Sequence, residues 1–84
     1  MKYTVACTAE ADEQLADIWV MNVEQREAVL RAAQALDSEL EHSPLEVGES
    51  REEGFRVLFA PPLGIRFRVS TADRLVVIVA FWRY

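Results

Sequence analysis

Gly54-Phe55-Arg56-Val57-Leu58-Phe59-Ala60, then Pro61-Pro62-Leu63-Gly64, then Ile65-Arg66-Phe67-Arg68-Val69-Ser70 is the stretch on which the fold turns. Two runs of strand-forming residues flank a proline pair that suits a hairpin loop and cannot feed a ladder. After Thr71-Ala72-Asp73 a third apolar run, Arg74 to Tyr84, closes on Phe81-Trp82-Arg83-Tyr84. Three such runs with two short breaks predict a β-meander. Alternate side chains of a strand share a face. Phe55, Val57 and Phe59 therefore line one side of the first run, and Ile65, Phe67 and Val69 one side of the second. Arg66 and Arg68 point together to the other side, which predicts an apolar face backed by arginines.

Outward from the meander, Leu75-Val76-Val77-Ile78-Val79 is apolar on both faces and belongs in the middle of a sheet. Its other neighbour is expected to be the first strand, Lys2-Tyr3-Thr4-Val5-Ala6-Cys7. Thr8 can cap the helix that follows, and Glu10, Asp12 and Glu13 suit its positive end. Ala11, Leu15, Ile18 and Trp19 fall on one helical face. Asn22 is expected to end this helix and cap the next, with Gln25 at capping-box spacing. From Glu24 to about His42, Val29, Ala33, Leu36 and Leu40 recur at amphipathic spacing, so the two helices predict a hairpin. His42 sits where an imidazole complements the helix dipole. Leu45 to Glu53 is read as the one long loop.

The fold class is therefore α+β in the order β-α-α-β-β-β. A helical hairpin packs on one face of a four-stranded, mainly antiparallel sheet, with Trp19, Leu36, Phe55, Phe67 and Val77 in the core. The 84 residues suffice for a single domain spanning 1–84. No apolar run approaches a membrane helix or a signal peptide, so a cytoplasmic location without membrane contact is expected. The single cysteine, Cys7, has no internal disulfide partner and reads as a small core residue.

Net charge is −5, unlike a generic nucleic-acid binder, but it is unevenly spread. Residues 1–53 hold thirteen of the fourteen acids and four of the nine Lys and Arg, a local charge of −9. Residues 54–84 hold Arg56, Arg66, Arg68, Arg74 and Arg83 against Asp73 alone, a local charge of +4. A basic patch can bind a polyanion locally while the rest of the molecule repels it. The same arginines can equally do no more than solvate an exposed sheet face. The sequence has no Gly-rich phosphate loop, Cys/His zinc spacing or nucleophile elbow.

Gly54-Phe55-Arg56-Val57-Leu58 and Gly64-Ile65-Arg66-Phe67-Arg68-Val69, in this element order, resemble the RelE/ParE toxin superfamily of type II toxin–antitoxin systems. The first looks like the family's Gly-aromatic-Arg strand and the second like its Gly-Tyr-Arg partner. Val76-Val77-Ile78-Val79-Ala80-Phe81-Trp82-Arg83 looks like its last strand, which runs into a His-Arg pair. The resemblance implies a toxin held in check by a cognate antitoxin protein, whose acidic tail would order on the arginine-bearing surface.

RelE-type members cut messenger RNA, usually in the ribosomal A site, as metal-independent endoribonucleases that need no cofactor. ParE-type members poison DNA gyrase, and an attenuated member would only bind its antitoxin. In the RelE-type reaction the messenger's 2′-hydroxyl attacks the adjacent phosphate, and arginine suits the phosphorane charge. By position, the resemblance makes Arg66 the phosphate ligand, with Arg56 and Arg83 beside it in catalysis. Arg56, Arg66, Arg68 and Arg83 together would contact nucleic acid. Trp82 stands where the family has histidine, and the lysines of the second strand are absent, Lys2 being the only lysine. Tyr84 would take the part of the family's C-terminal tyrosine.

Overall fold

Local signals place the first elements in the computed structural model, which describes residues 2–84. Strand β1 (Thr4–Cys7) leads into helix α1 (Ala9–Met21) through Thr8, whose Oγ1 accepts the Ala11 N–H at 3.1 Å. Helix α2 (Arg26–His42) follows a single 3₁₀ turn, Val23–Gln25. The expected capping box does not form. Asn22 turns its amide back to the Ile18 carbonyl at 2.7 Å, so it closes α1 and leaves α2 without a side-chain cap. At the far end of α2 the His42 Nδ1 lies 2.8 Å from the Ser38 carbonyl, within the last turn, as the dipole argument expects.

The meander is completed by β3 (Arg56–Ala60), β4 (Leu63–Ser70) and β5 (Leu75–Arg83). The β3–β4 loop is Pro61-Pro62 alone, so Leu63 and Gly64, which read as turn, are strand. A further two-residue strand, β2 (Glu49–Ser50), forms inside the expected loop and pairs antiparallel with β3. The sheet thus has five strands where four are expected, in the order β1-β5-β4-β3-β2. The long β5 is central, with β1 parallel on one side and β4 antiparallel on the other.

Pairing decides which side chains meet the helices. Leu63, Ile65 and Phe67 of β4 face Ala60, Leu58 and Arg56 of β3, and face Arg83, Phe81 and Ile78 of β5. The buried core joins Leu63, Ile65, Phe67, Val76, Ile78 and Phe81 to Ala11 of α1 and Val29, Ala32, Leu36 and Leu40 of α2. Both helices therefore cover one face of the sheet and leave the other uncovered. Leu36 and Phe67 are core residues as expected.

Phe55, Val77 and Trp19, three of the five expected core residues, lie elsewhere. Phe55, Val57 and Phe59 belong to the uncovered face, because Val57 pairs with Arg66 and Phe59 with Gly64. Val77 pairs with Arg68 on that face, while its neighbours Val76 and Ile78 enter the core. Trp19 is 38% exposed, for α1 turns Ala11, Leu15 and Ile18 inward and carries Trp19 beyond that stripe. Arg26 lies over its ring at 5.4 Å and donates to its carbonyl at 2.8 Å. Among the described residues no helix is long and apolar enough to cross a membrane.

Candidate functional site

The uncovered face is built from cross-strand rows that the register sets side by side. One row is Glu49, Val57, Arg66 and Ala80, running from β2 through β3 and β4 to β5. On one side of it lies Phe59, Gly64 and Trp82, and on the other Arg68 and Val77. Arg66 is thus at the centre of the face. A β-bulge falls beside it, because Arg66 pairs with Ala80 and Phe67 with Ile78, leaving Val79 unpaired. Bulges bend a strand locally and re-aim the side chains next to them.

Phe55, at the mouth of β3, organises the charge. The Arg66 guanidinium carbon lies 4.0 Å from the centre of its ring, and that of Arg68 lies 5.5 Å from it. Aromatic stacking of this kind holds a guanidinium while leaving its N–H fork free. Gly54, at φ 80°, supplies the left-handed turn that delivers Phe55 to this place. Among the described residues, no carboxylate lies within salt-bridge distance of Arg66 or Arg68. Two like charges held side by side on an open face suit an anionic ligand.

The four arginines read as one site are divided by the sheet. Arg56 pairs with Phe67 and so emerges on the helix side, where its guanidinium donates to the Val47 carbonyl at 3.0 and 3.2 Å and to Gly48 at 3.4 Å. Arg83 pairs with Leu63 and also leaves on the helix side. It donates to Gln25 Oε1, at the edge of a cleft of about 400 Å³ that Met21, Asn22 and Val23 help to line. Arg66 and Arg68 alone of the four share the open face.

Tyr84 does reach the open side. Its ring meets that of Phe59 edge-on at 5.1 Å, and its N–H donates to the Pro62 carbonyl at 3.1 Å. Phe59 also meets Trp82 edge-on at 5.9 Å. The Trp82 indole occupies the space above Gly64, where an added Cβ would come within 2.5 Å of it. Only glycine at position 64 leaves room for that ring.

Glu49 is the residue that the sequence reading missed. Within a loop rich in charge it has no signal of its own, and a two-residue strand is too short to show a period. Pairing with Val57 turns it to the side of Arg66, two strand spacings away, about 10 Å. It is exposed and bound by Arg51 at 2.9 Å. The Arg56 bonds to Val47 and Gly48 fix the chain just before it.

Cys7 is set apart from this face: β1 turns it toward the helices, and burial, then the charges of Asp12 and Asp37, push its thiol up to about 11. It is an inert thiol at neutral pH. Among the described residues no three His, Cys, Asp or Glu lie close enough together to hold a metal ion.

No family model matches the chain, and no curated protein matches it in sequence. Solved structures that match it over nearly its full length include two from toxin–antitoxin systems. A chain of the toxin–antitoxin complex RelBE2 from Mycobacterium tuberculosis superposes with a TM-score of 0.82 at 21% identity, covering 100% of this chain and 93% of that one. A chain of the chromosomal ParDE system from P. aeruginosa gives 0.73 at 21% identity, covering 96% and 95%. At this identity the likeness is one of architecture: the chain has the RelE/ParE toxin fold.

Proposed function

We propose that this protein is the toxin of a type II toxin–antitoxin pair and an endoribonuclease that cuts messenger RNA on the ribosome. The observation that carries the reading is Arg66, central on the uncovered face of a toxin fold, stacked on Phe55 and, among the described residues, with no carboxylate within salt-bridge distance. Its fork of N–H donors suits the two non-bridging oxygens of a phosphodiester. Arg68, two residues along the strand, suits the next phosphate.

The reaction needs no group beyond the chain and its substrate. The 2′-hydroxyl attacks the adjacent phosphorus, a P–O2′ bond forms, and the P–O5′ bond breaks to leave a 2′,3′-cyclic phosphate. The Glu49 carboxylate, on the same cross-strand row as Arg66, takes the proton from the 2′-hydroxyl. The Tyr84 phenol returns a proton to the departing 5′-oxygen. Arg66 meets the charge that grows on the phosphorane, where a preorganised donor acts most strongly. Arg56 serves by holding the loop before Glu49 rather than by touching RNA, and Arg83 stands aside. A cognate antitoxin with an acidic tail would neutralise the protein by covering the same arginines.

Inducible expression in a bacterium, with protein and DNA synthesis labelled separately, tests this. Growth arrest with loss of protein synthesis and newly cleaved messenger is the expected result. Arrest with loss of DNA synthesis alone would redirect the reading to DNA gyrase. No arrest would leave only the antitoxin-binding part.

A further inference from the structure

The tip of the helical hairpin carries an apolar patch that the function above leaves unused. Helix α1 turns Ala11, Leu15 and Ile18 to the core, but its last turn ends on Trp19, Val20 and Met21, and the 3₁₀ turn opens on Val23. Val20 and Val23 are each 64% exposed and Met21 81%. Apolar side chains scattered singly on a surface need no account. Three within four positions, next to the partly exposed Trp19, make a patch, and a patch marks a contact. Met21 and Val23 also line the cleft of about 400 Å³ beside Arg83.

Charge selects the kind of surface that fits. Glu24 and Arg83 line the same cleft, and both are exposed. Arg83 donates its fork to the neutral Gln25 Oε1. Among the described residues neither Arg83 nor Glu24 has an opposite charge within salt-bridge distance. Arg26 adds a second cation, stacked on Trp19. An acidic partner would meet Glu24 here, and a basic one would meet Arg83 and Arg26. What fits is an apolar surface that itself carries one charge of each sign, in reverse order. A twofold axis through the patch supplies that surface, because it turns one copy's Glu24 toward the other's Arg83.

We propose that the protein pairs with a second copy of itself through this tip. Val20, Met21 and Val23 of the two chains pack together, and Glu24 of each chain meets Arg83 of the other. Apolar burial drives the pairing, and the two symmetry-related ion pairs fix its register. Arg83, which the sheet keeps from the open face, has its part here. Because it leaves β5 on the helix side, the contact does not cover Arg66.

Sedimentation equilibrium of the purified chain over a wide concentration range is the test. The mass should rise with concentration from 9.6 kDa toward twice that value. Met21→Asp should hold the chain at the monomer mass, with a thermal melt close to that of wild type, because the side chain it replaces already meets water. Glu24→Arg and Arg83→Glu should each weaken pairing by about 10-fold or more, since each turns two attractive contacts into repulsive ones. Mixed in equal amounts, these two variants should pair as well as wild type, for every contact across the axis is again between opposite charges. A folding defect in either variant cannot produce that rescue. A monomer at every concentration would overturn the proposal and leave the tip to a different protein. A dimer that survives Met21→Asp, or a mixture no better paired than its components, would overturn it as well.

Discussion

The Arg66 guanidinium carbon lies 4.0 Å from the centre of the Phe55 ring, with the ring holding the cation from below. Sequence neighbours could not bring this about, because Phe55 directly precedes β3 while Arg66 is on β4, and the two meet only through the β3–β4 register. The ring limits the freedom of a long side chain and leaves its donors for a ligand. A cation–π contact at a partly exposed site contributes about 0.5–1 kcal/mol. Phe55→Leu should therefore slow RNA cleavage by about 2- to 5-fold, and Phe55→Tyr should behave as wild type. Cleavage rates of a defined messenger fragment check this.

Gly64→Ala should be costly although the residue is in an ordinary strand. The new methyl would stand 2.5 Å from the Trp82 indole, closer than packed carbon atoms tolerate, so the ring must move. Overpacking of this kind costs about 1–3 kcal/mol. Urea unfolding should report the loss, and Trp82 emission in the Trp19→Phe background should change as the ring is displaced toward water.

Phe67 and Phe59 lie on opposite faces of the same hairpin and should respond differently to truncation. Phe67 is fully buried between the sheet and the helices, so Phe67→Ala should lose about 3–5 kcal/mol. Phe59→Ala should lose much less stability, since about half of its surface already meets water. Chemical denaturation of both variants measures the contrast. Equal losses would show that the register given to β3 is wrong.

Alkaline sensitivity should have an identifiable source. Burial raises the Cys7 thiol from 9.0 to about 11, aided by the charges of Asp12 and Asp37. The unfolded chain therefore ionises first, so the contribution is whole below 9.0 and lost as pH rises through about 11. Asp37, raised above 3.8 by burial and by the Glu41 charge, has the same sign in acid: its contribution is lost as pH climbs past the ordinary carboxyl range. Cys7→Ala should flatten the fall in melting temperature at alkaline pH. Asp37→Asn should raise the melting temperature near neutrality and leave it unchanged in strong acid.

Much of this architecture is legible in local patterns. Val29, Leu36 and Leu40 report the buried stripe of α2, Thr8 its predecessor's cap, and the double-sided run of β5 its central place. That Arg66 and Arg68 share a face also follows from strand period alone. The side on which Phe55, Val57 and Phe59 stand was legible too, by one further step. A hairpin loop with an even number of residues pairs odd-numbered positions with even-numbered ones, which sets these residues against the arginine side. Trp19 misleads because an exposed ring at the border of a helical stripe looks like a core ring until Arg26 is seen over it. The partners of Arg56 and Arg83 are set by tertiary contacts with Val47, Gly48 and Gln25, which no local pattern announces. Glu49 reaches the Arg66 row through a strand too short to have a period.

The most direct measurement of the central claim is cleavage of messenger by Arg66→Ala, mapped by primer extension beside wild type and Arg31→Ala. Arg31 is exposed on α2, on the covered side of the sheet, and its ion pair with Glu27 at 3.8 Å is a surface contact of small consequence. If Arg66 stabilises charge that develops only in the transition state, its loss should lower cleavage by on the order of 10²–10³, while stability falls by no more than the roughly 0.5–1 kcal/mol of its contact with Phe55. Arg66→Lys should recover little, because an ammonium cannot make the forked contact. Cleavage by Arg66→Ala equal to that by wild type and Arg31→Ala would contradict the account.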